Sequence, residues 1–206
     1  MFVLRNTHLT NKSLQEMTMS QAIQQARNSA DFAIYTSQNA PEGSRPALRQ
    51  LEETVGLIPN LAATMAGSPA LIDGFVALRG IIQKNSSFTP GELELIFLTN
   101  AAANECNYCQ SIHSMFAQKA GISDEVIKAV RSEKPLDDSR RDALVKFARS
   151  VAKHKGQITS DELQNFLAAG FEKTHVLDIV ACFSQSIMAN YTNHIAKVKL
   201  DEFLKG

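Results

Sequence analysis

Two of the chain's three cysteines stand three positions apart, and a histidine follows, in the string Cys106-Asn107-Tyr108-Cys109-Gln110-Ser111-Ile112-His113. Thiols at this spacing can close a reversible disulfide. A histidine four residues after the second thiol falls on the same face of a helix, where it can take a proton from sulfur. The thiolate is the reactive form of cysteine, so a nearby base or a helix N-terminus decides whether such a pair reacts at neutral pH. Cys106, Cys109 and His113 occupy positions i, i+3 and i+7, a single stripe. Upstream, Glu94 lies beside Ile96 and Phe97. A carboxylate folded back onto the stripe would orient His113 and raise its basicity, which is the nucleophile, base and orienter arrangement written with a thiol.

The elements that must hold these residues read as almost entirely helical, an all-α multi-helix bundle. Alternating strand patterns are missing and helix punctuation recurs. Apolar spacing predicts a helix over about 20–37, carrying Ala22, Ile23, Ala26, Ala30, Ala33 and Ile34, before the turn Asn39-Ala40-Pro41-Glu42-Gly43. Ser68-Pro69 starts a helix, serine capping and proline taking the first position. Thr89-Pro90-Gly91-Glu92 has capping-box spacing and starts the helix that carries Glu94. The cysteine string follows, in a helix ending at Gly121. A short helix from Ser123 comes next, then one over about 139–153, one capped by Thr159 and ended by Gly170, and a last long helix over about 174–200. Sliding that last helix back onto the cysteine segment pairs Asp178 with Glu94 and Asn190 with Cys106, a faint sign of internal duplication.

The whole chain narrows the function classes. Its 206 residues are enough for one domain or two small ones with a proper core, and 44% are hydrophobic. Lys+Arg and Asp+Glu are 21 each, so there is no basic footprint for nucleic acid or an anionic membrane. No run of 18 apolar residues suggests a membrane span, and the first residues lack a secretory signal pattern. A close cysteine pair in such a chain reads as redox or metal chemistry in a reducing, cytoplasmic setting.

Plainer roles compete for some residues. Cys182 reads as a small buried hydrophobe. Zinc could take Cys106, Cys109 and His113, but a closed site needs a fourth ligand, which Cys182, His194 or Glu94 would have to supply. Glu105 should face solvent, and Tyr108 should pack in the core. His8, His154, His175 and His194 have no motif around them, and Glu92 reads as a cap.

The stretch from Glu94 to His113, Glu followed by eleven residues and then Cys-x-x-Cys-x-x-x-His, resembles the core motif of the AhpD-like alkylhydroperoxidases of the carboxymuconolactone decarboxylase superfamily. Gly56-Leu57-Ile58-Pro59-Asn60-Leu61, Ser68-Pro69-Ala70-Leu71 and Phe116 to Ser123 resemble flanking parts of the same family. The likeness spans about 45–200, leaving residues 1–44 as an N-terminal extension to a domain over 45–206. It implies an AhpD-like all-helical fold that forms trimers or hexamers. It also implies a thiol peroxidase in which Cys109 attacks a hydroperoxide, Cys106 resolves, and His113 with Glu94 relays protons through water. No cofactor would be needed, and an external dithiol, lipoyl-type or thioredoxin-like, would restore the pair. The best-known alkylhydroperoxidases carry histidine where this chain has Tyr108. The alternatives are a general thiol-disulfide oxidoreductase, or a non-catalytic metal-binding or redox-sensing oligomer.

Overall fold

The computed structural model describes residues 31–205, and contacts divide the chain into two units, Met1–Phe32 and Ala33–Gly206. The second unit is built from nine α-helices among the described residues: α1 Arg45–Val55, α2 Asn60–Met65, α3 Pro69–Asn85, α4 Pro90–Ala103, α5 Asn107–Lys119, α6 Asp124–Arg131, α7 Ser139–Lys153, α8 Ser160–Ala168 and α9 Lys173–Ala196. No strand occurs among the described residues. The fold is therefore an all-α bundle, as the punctuation of the sequence predicts.

α4 is the axis. Its residues from Leu93 to Ala101 are all buried, as expected for a helix that is apolar on every side. α5, α6, α7 and α9 pack around it, and α3 packs on α9. Phe97, Phe147, Phe166 and Cys182 share one apolar cluster with Ile179. Leu95, Leu98, Val130 and Val145 form a second. The third holds both cysteines of the pair, with Met65, Ile72, Ala101, Tyr108 and Ala189.

Local chemistry explains the ends of these helices. Ser68 accepts from Leu71 N, and Thr89 with Glu92, like Thr159 with Glu162, forms a reciprocal capping box. Gly121, at φ 81°, takes the left-handed turn that stops α5. Gly91 lets Ile122 approach the start of α4, where an added Cβ would lie 3.0 Å from Ile122 Cδ1.

Two helix boundaries differ from the sequence reading. Residues 20–30 of the helix expected over 20–37 lie outside the described residues, and 31–37 are not helical. There Tyr35 N donates to Ala63 O, and Asn39 Oδ1 accepts from Thr36 N at 2.7 Å. These bonds serve backbone groups that a helix would have used. The last helix stops at Ala196, with Lys197 left-handed, short of the expected 200. The tail then runs back to α2, where Asn60 Nδ2 donates to Lys199 O and Asn60 N to Asp201.

No helix among the described residues is long and apolar enough to cross a membrane.

Candidate active site

The α4–α5 joint makes the site. α4 ends in a tight reversal in which Cys106 N donates to Ala101 O and Glu105 N to Ala102 O, the paired bonds of a Schellman turn. Glu105 occupies the left-handed position, φ 53°, usually taken by glycine. It is exposed, as its sequence context suggests. The reversal makes Cys106 both the residue that closes α4 and the N-cap of α5. Its Sγ accepts from Cys109 N at 3.3 Å. A serine or aspartate oxygen ordinarily fills this role, so here a sulfur takes the stabilisation that a helix start offers an anion.

Cys109 lies one turn further along. Both sulfurs belong to buried residues, 2% exposed each, and both thiols are free. The surroundings of the two thiols push them in opposite directions. Cys106 is held below the ordinary thiol range, chiefly because it accepts a hydrogen bond from the Cys109 thiol, and the Cys109 and Tyr108 backbone N–H groups help against the cost of burial. Cys109 is pushed up because its proton is committed to Cys106, with burial and the neighbouring charge adding to the effect. Asn193, on α9, works the other way, donating Nδ2 to Cys109 Sγ at 3.4 Å.

The second half of the site is a carboxylate–imidazole pair. His113 Nδ1 and Glu94 Oε2 are 2.7 Å apart. An ionised carboxylate only accepts, so Nδ1 carries the hydrogen and Nε2 is left to take a proton. The ring stacks on Phe97 at 5.0 Å between centroids. Glu94 Oε1 is bound by Arg79 Nη2 from α3 at 2.5 Å, and the same guanidinium lies over Phe97 at 4.5 Å. Burial opposes ionisation of Glu94. The His113 hydrogen bond and charge, with Arg79, outweigh it and hold the carboxyl below the ordinary range.

The four residues singled out from sequence therefore meet as two pairs, Cys106 with Cys109 and Glu94 with His113. Among the described residues no hydrogen bond joins His113 to either sulfur, and no three His, Cys, Asp or Glu side chains stand close enough to hold a metal ion. Tyr108 is buried, as expected of a core aromatic, but its hydroxyl is engaged at both ends. It donates to Asp201 and accepts from Leu61 N at 3.4 Å. Burial, followed by the Asp201 hydrogen bond and charge, pushes its pKa up, so it serves as a neutral donor. His175 is satisfied within the core, its Nδ1 accepting from Glu172 N between Phe88 and Phe171.

Arg79, Asn193 and Asp201 do not stand out in the sequence. Their only signals are weak ones, a lone arginine in the apolar α3 and the polar residues Ser186, Asn190 and Asn193 recurring at helical spacing in α9. An open cleft between Thr89, Glu92, Lys119 and Arg141 contains none of the site residues.

The same stretch of chain matches a known protein family. Residues 69–134 match the Carboxymuconolactone decarboxylase family, a segment that contains everything from Glu94 to His113. No curated protein matches the chain. Among solved structures, an uncharacterized peroxidase-related protein from Ralstonia eutropha JMP134, described as an alkylhydroperoxidase AhpD core, superposes with a TM-score of 0.74 at 21% identity, over 84% of this chain and 93% of that one. A variant of the debrominase Bmp8, in complex with 2,3,4-tribromopyrrole, gives 0.71 at 18% identity, over 84% and 92%. A peroxidase-related protein from Silicibacter sp. TM1040 gives 0.70 at 18%, over 82% and 90%.

Proposed function

We propose that the chain is a member of the AhpD-like, carboxymuconolactone decarboxylase superfamily, whose family model matches residues 69–134, and that it is a thiol-dependent peroxidase that reduces hydroperoxides through a Cys106–Cys109 disulfide cycle. The observation that carries this reading is the geometry at the start of α5, where Cys106 Sγ accepts from Cys109 N at 3.3 Å and His113, one turn beyond Cys109, is held by Glu94 at 2.7 Å.

The hydrogen bond to Cys106 and burial both raise the Cys109 thiol, so its ionisation calls for a base. His113, one helical turn on and oriented by Glu94, takes the Cys109 proton on Nε2 through a bridging water. The Cys109 thiolate attacks the nearer oxygen of the peroxide. The O–O bond breaks, the leaving alkoxide takes the proton back as an alcohol, and sulfur becomes a sulfenic acid. Cys106, already the more acidic thiol, attacks that sulfur; the S–O bond breaks, water leaves with a relayed proton, and the disulfide forms. An external dithiol reduces it by exchange. The pair is 2% exposed, which favours a small peroxide and a slender lipoyl-type arm over a folded protein disulfide. This setting distinguishes the reading from a general thiol-disulfide oxidoreductase. The reducing interior of a cell is the compartment in which such a pair would be recharged.

The low position of Cys106 supports a second assignment, in which Cys106 attacks and Cys109 resolves. Trapping the sulfenic acid with dimedone in Cys106→Ser and Cys109→Ser separates the two: the attacking thiol is the one that still forms the adduct when its partner is serine. The test of the function itself is peroxide consumption with dithiothreitol by wild type and Cys109→Ser, and absence of turnover by wild type would end the peroxidase reading. Zinc in freshly purified protein would favour the metal-binding or sensing alternative.

The working unit is a homo-oligomer, a trimer or hexamer by the family likeness. α9 exposes Leu177, Val180, Ile187, Tyr191 and Ile195 along its length, an apolar stripe suited to a second copy of the chain. Light scattering that returned 22.6 kDa at micromolar concentration would contradict it.

A further inference from the structure

Four buried polar atoms that have no hydrogen-bond partner lie on α9: Gln185 Oε1, Ser186 Oγ, Asn190 Nδ2 and Asn193 Oδ1. Native interiors rarely leave such atoms unpaired, and one of the four, on Asn193, lies beside the reactive pair. Ser186, Asn190 and Asn193 are spaced i, i+4 and i+7, so they share a face. That face ends at the reactive pair. Asn193 Nδ2 donates to Cys109 Sγ at 3.4 Å and to Ala189 O at 3.1 Å. A carbonyl oxygen only accepts, so the second bond fixes which end of the amide meets the sulfur. The side chain is buried, it is held by its own helix, and its oxygen has nothing to accept from.

We propose that Asn193 is a further residue of the active site, which steadies the Cys109 sulfur with an N–H as the thiolate forms and receives the hydroxyl hydrogen of the Cys109 sulfenic acid on Oδ1. The amide presents donor and acceptor side by side, and a sulfenic acid, S–O–H, presents an acceptor and a donor at the same spacing. No other donor from outside the α5 segment reaches the Cys109 sulfur among the described residues. Bonded this way, the sulfenic acid keeps its oxygen occupied and its sulfur turned to Cys106, which favours condensation over a second oxidation by peroxide. The acceptor role rests on the peroxidase reading above; the donor role does not.

The experiment uses the full chain with Cys106→Ser, which keeps an oxygen at the α5 cap and leaves Cys109 as the single thiol of the pair. Asn193→Leu removes both hydrogen bonds at similar size, and Asn193→Asp keeps the shape but, ionised, replaces the donor by a charge. Ser186→Ala removes a neighbouring unpaired group as a control. Two readouts are taken, the pH midpoint of Cys109 alkylation by iodoacetamide and the yield of dimedone adduct after one equivalent of hydrogen peroxide. Asn193→Leu should raise the midpoint by about one pH unit, because a hydrogen bond to the charged form is lost. It should also cut the adduct yield roughly ten-fold, while Ser186→Ala changes neither. Asn193→Asp should raise the midpoint further and decides the matter if the leucine variant does not fold. An unchanged midpoint in a folded variant overturns the inference. If the Cys106→Ser parent yields no adduct at all, Cys109 oxidation is refuted and the acceptor role falls with it, while the midpoint still judges the donor.

Discussion

Three cysteines in this protein are almost equally hidden, Cys182 at 0% exposure and Cys106 and Cys109 at 2%, yet they differ in acidity. Cys182 sits in the middle of α9 among Phe97, Ile179 and Phe183. Burial pushes its thiol up to about 12, and the nearby Arg79 does not offset this. Cys106 bears the same kind of burial cost but sits where a helix begins, with a second thiol and backbone N–H groups directed at it. The contrast separates shielding from solvation: a sulfur out of water can still be solvated as an anion by the protein. Position at the helix cap, and not depth alone, sets Cys106 apart from Cys182.

The strongest way to break this contrast is to exchange the cysteines one at a time. Cys106→Ser and Cys109→Ser should each abolish catalytic turnover of peroxide, since each removes half of the disulfide cycle, while Cys182→Ala should stay within about two-fold of wild type. Mass spectrometry of oxidised, alkylated protein should find Cys106 and Cys109 joined and Cys182 free; three free thiols would refute the redox reading.

Next in size is the proposed relay. His113→Ala and Glu94→Gln should each slow peroxide-dependent oxidation by roughly 100-fold, a common worth for positioned acid–base groups. They should also carry the pH dependence of Cys109 alkylation upward. Wild-type alkylation rates from pH 6 to 9 in both variants would leave the helix start as the sole source of reactivity.

Acid stability sharpens the contrast from the carboxylate side. Glu94 has a folded-state pKa below its ordinary 4.5, so the folded form binds the proton less readily than the unfolded chain. Its contribution to stability is complete above about pH 4.5 and is lost as pH falls through the lowered folded value. Urea unfolding of Glu94→Gln should therefore show a shallower loss of stability below pH 4.5 than wild type, and parallel curves would exclude Glu94 as the titrating group.

The smallest effect expected is at the reversal itself. Glu105→Gly relieves a left-handed non-glycine residue and should stabilise the protein by about 1 kcal/mol, with alkylation of Cys106 unchanged. A loss of stability on thermal melting would show that Glu105 contributes through its side chain.

Much of the fold is legible in the sequence because its signals are local. Ser68-Pro69, the two Thr-x-x-Glu boxes, Gly121 and the span of α7 over 139–153 all follow from backbone groups served by side chains a few residues away. The meeting of Glu94 with His113 also follows, since a short reversal folds two successive helices back on each other. What escapes such a reading is set by distant partners. Asn39 captures Thr36, and the 33–37 stretch bonds to α2, so helical spacing around Ala33 and Ile34 is overruled. Asp201 ends α9 early because it serves Asn60 and Tyr108. Arg79 reaches Glu94 from α3 and Asn193 reaches Cys109 from α9, contacts that no spacing within one helix reports. Even so, the slide that sets Asp178 on Glu94 and Asn190 on Cys106 sets Asn193 on Cys109, its actual hydrogen-bond partner.

The Asp201 clasp has a consequence for synthesis. Asp201 is 93 residues from Tyr108 and 141 from Asn60, so the tyrosine inside the Cys-x-x-Cys string completes its hydrogen bonds only with the tail of the chain. A ribosome exposes both reactive thiols, and all of α4, long before α9 and Asp201 emerge to cover them. Vectorial folding therefore passes through a stage in which the pair is open to premature oxidation, and maturation of the thiols waits on a segment translated well after them.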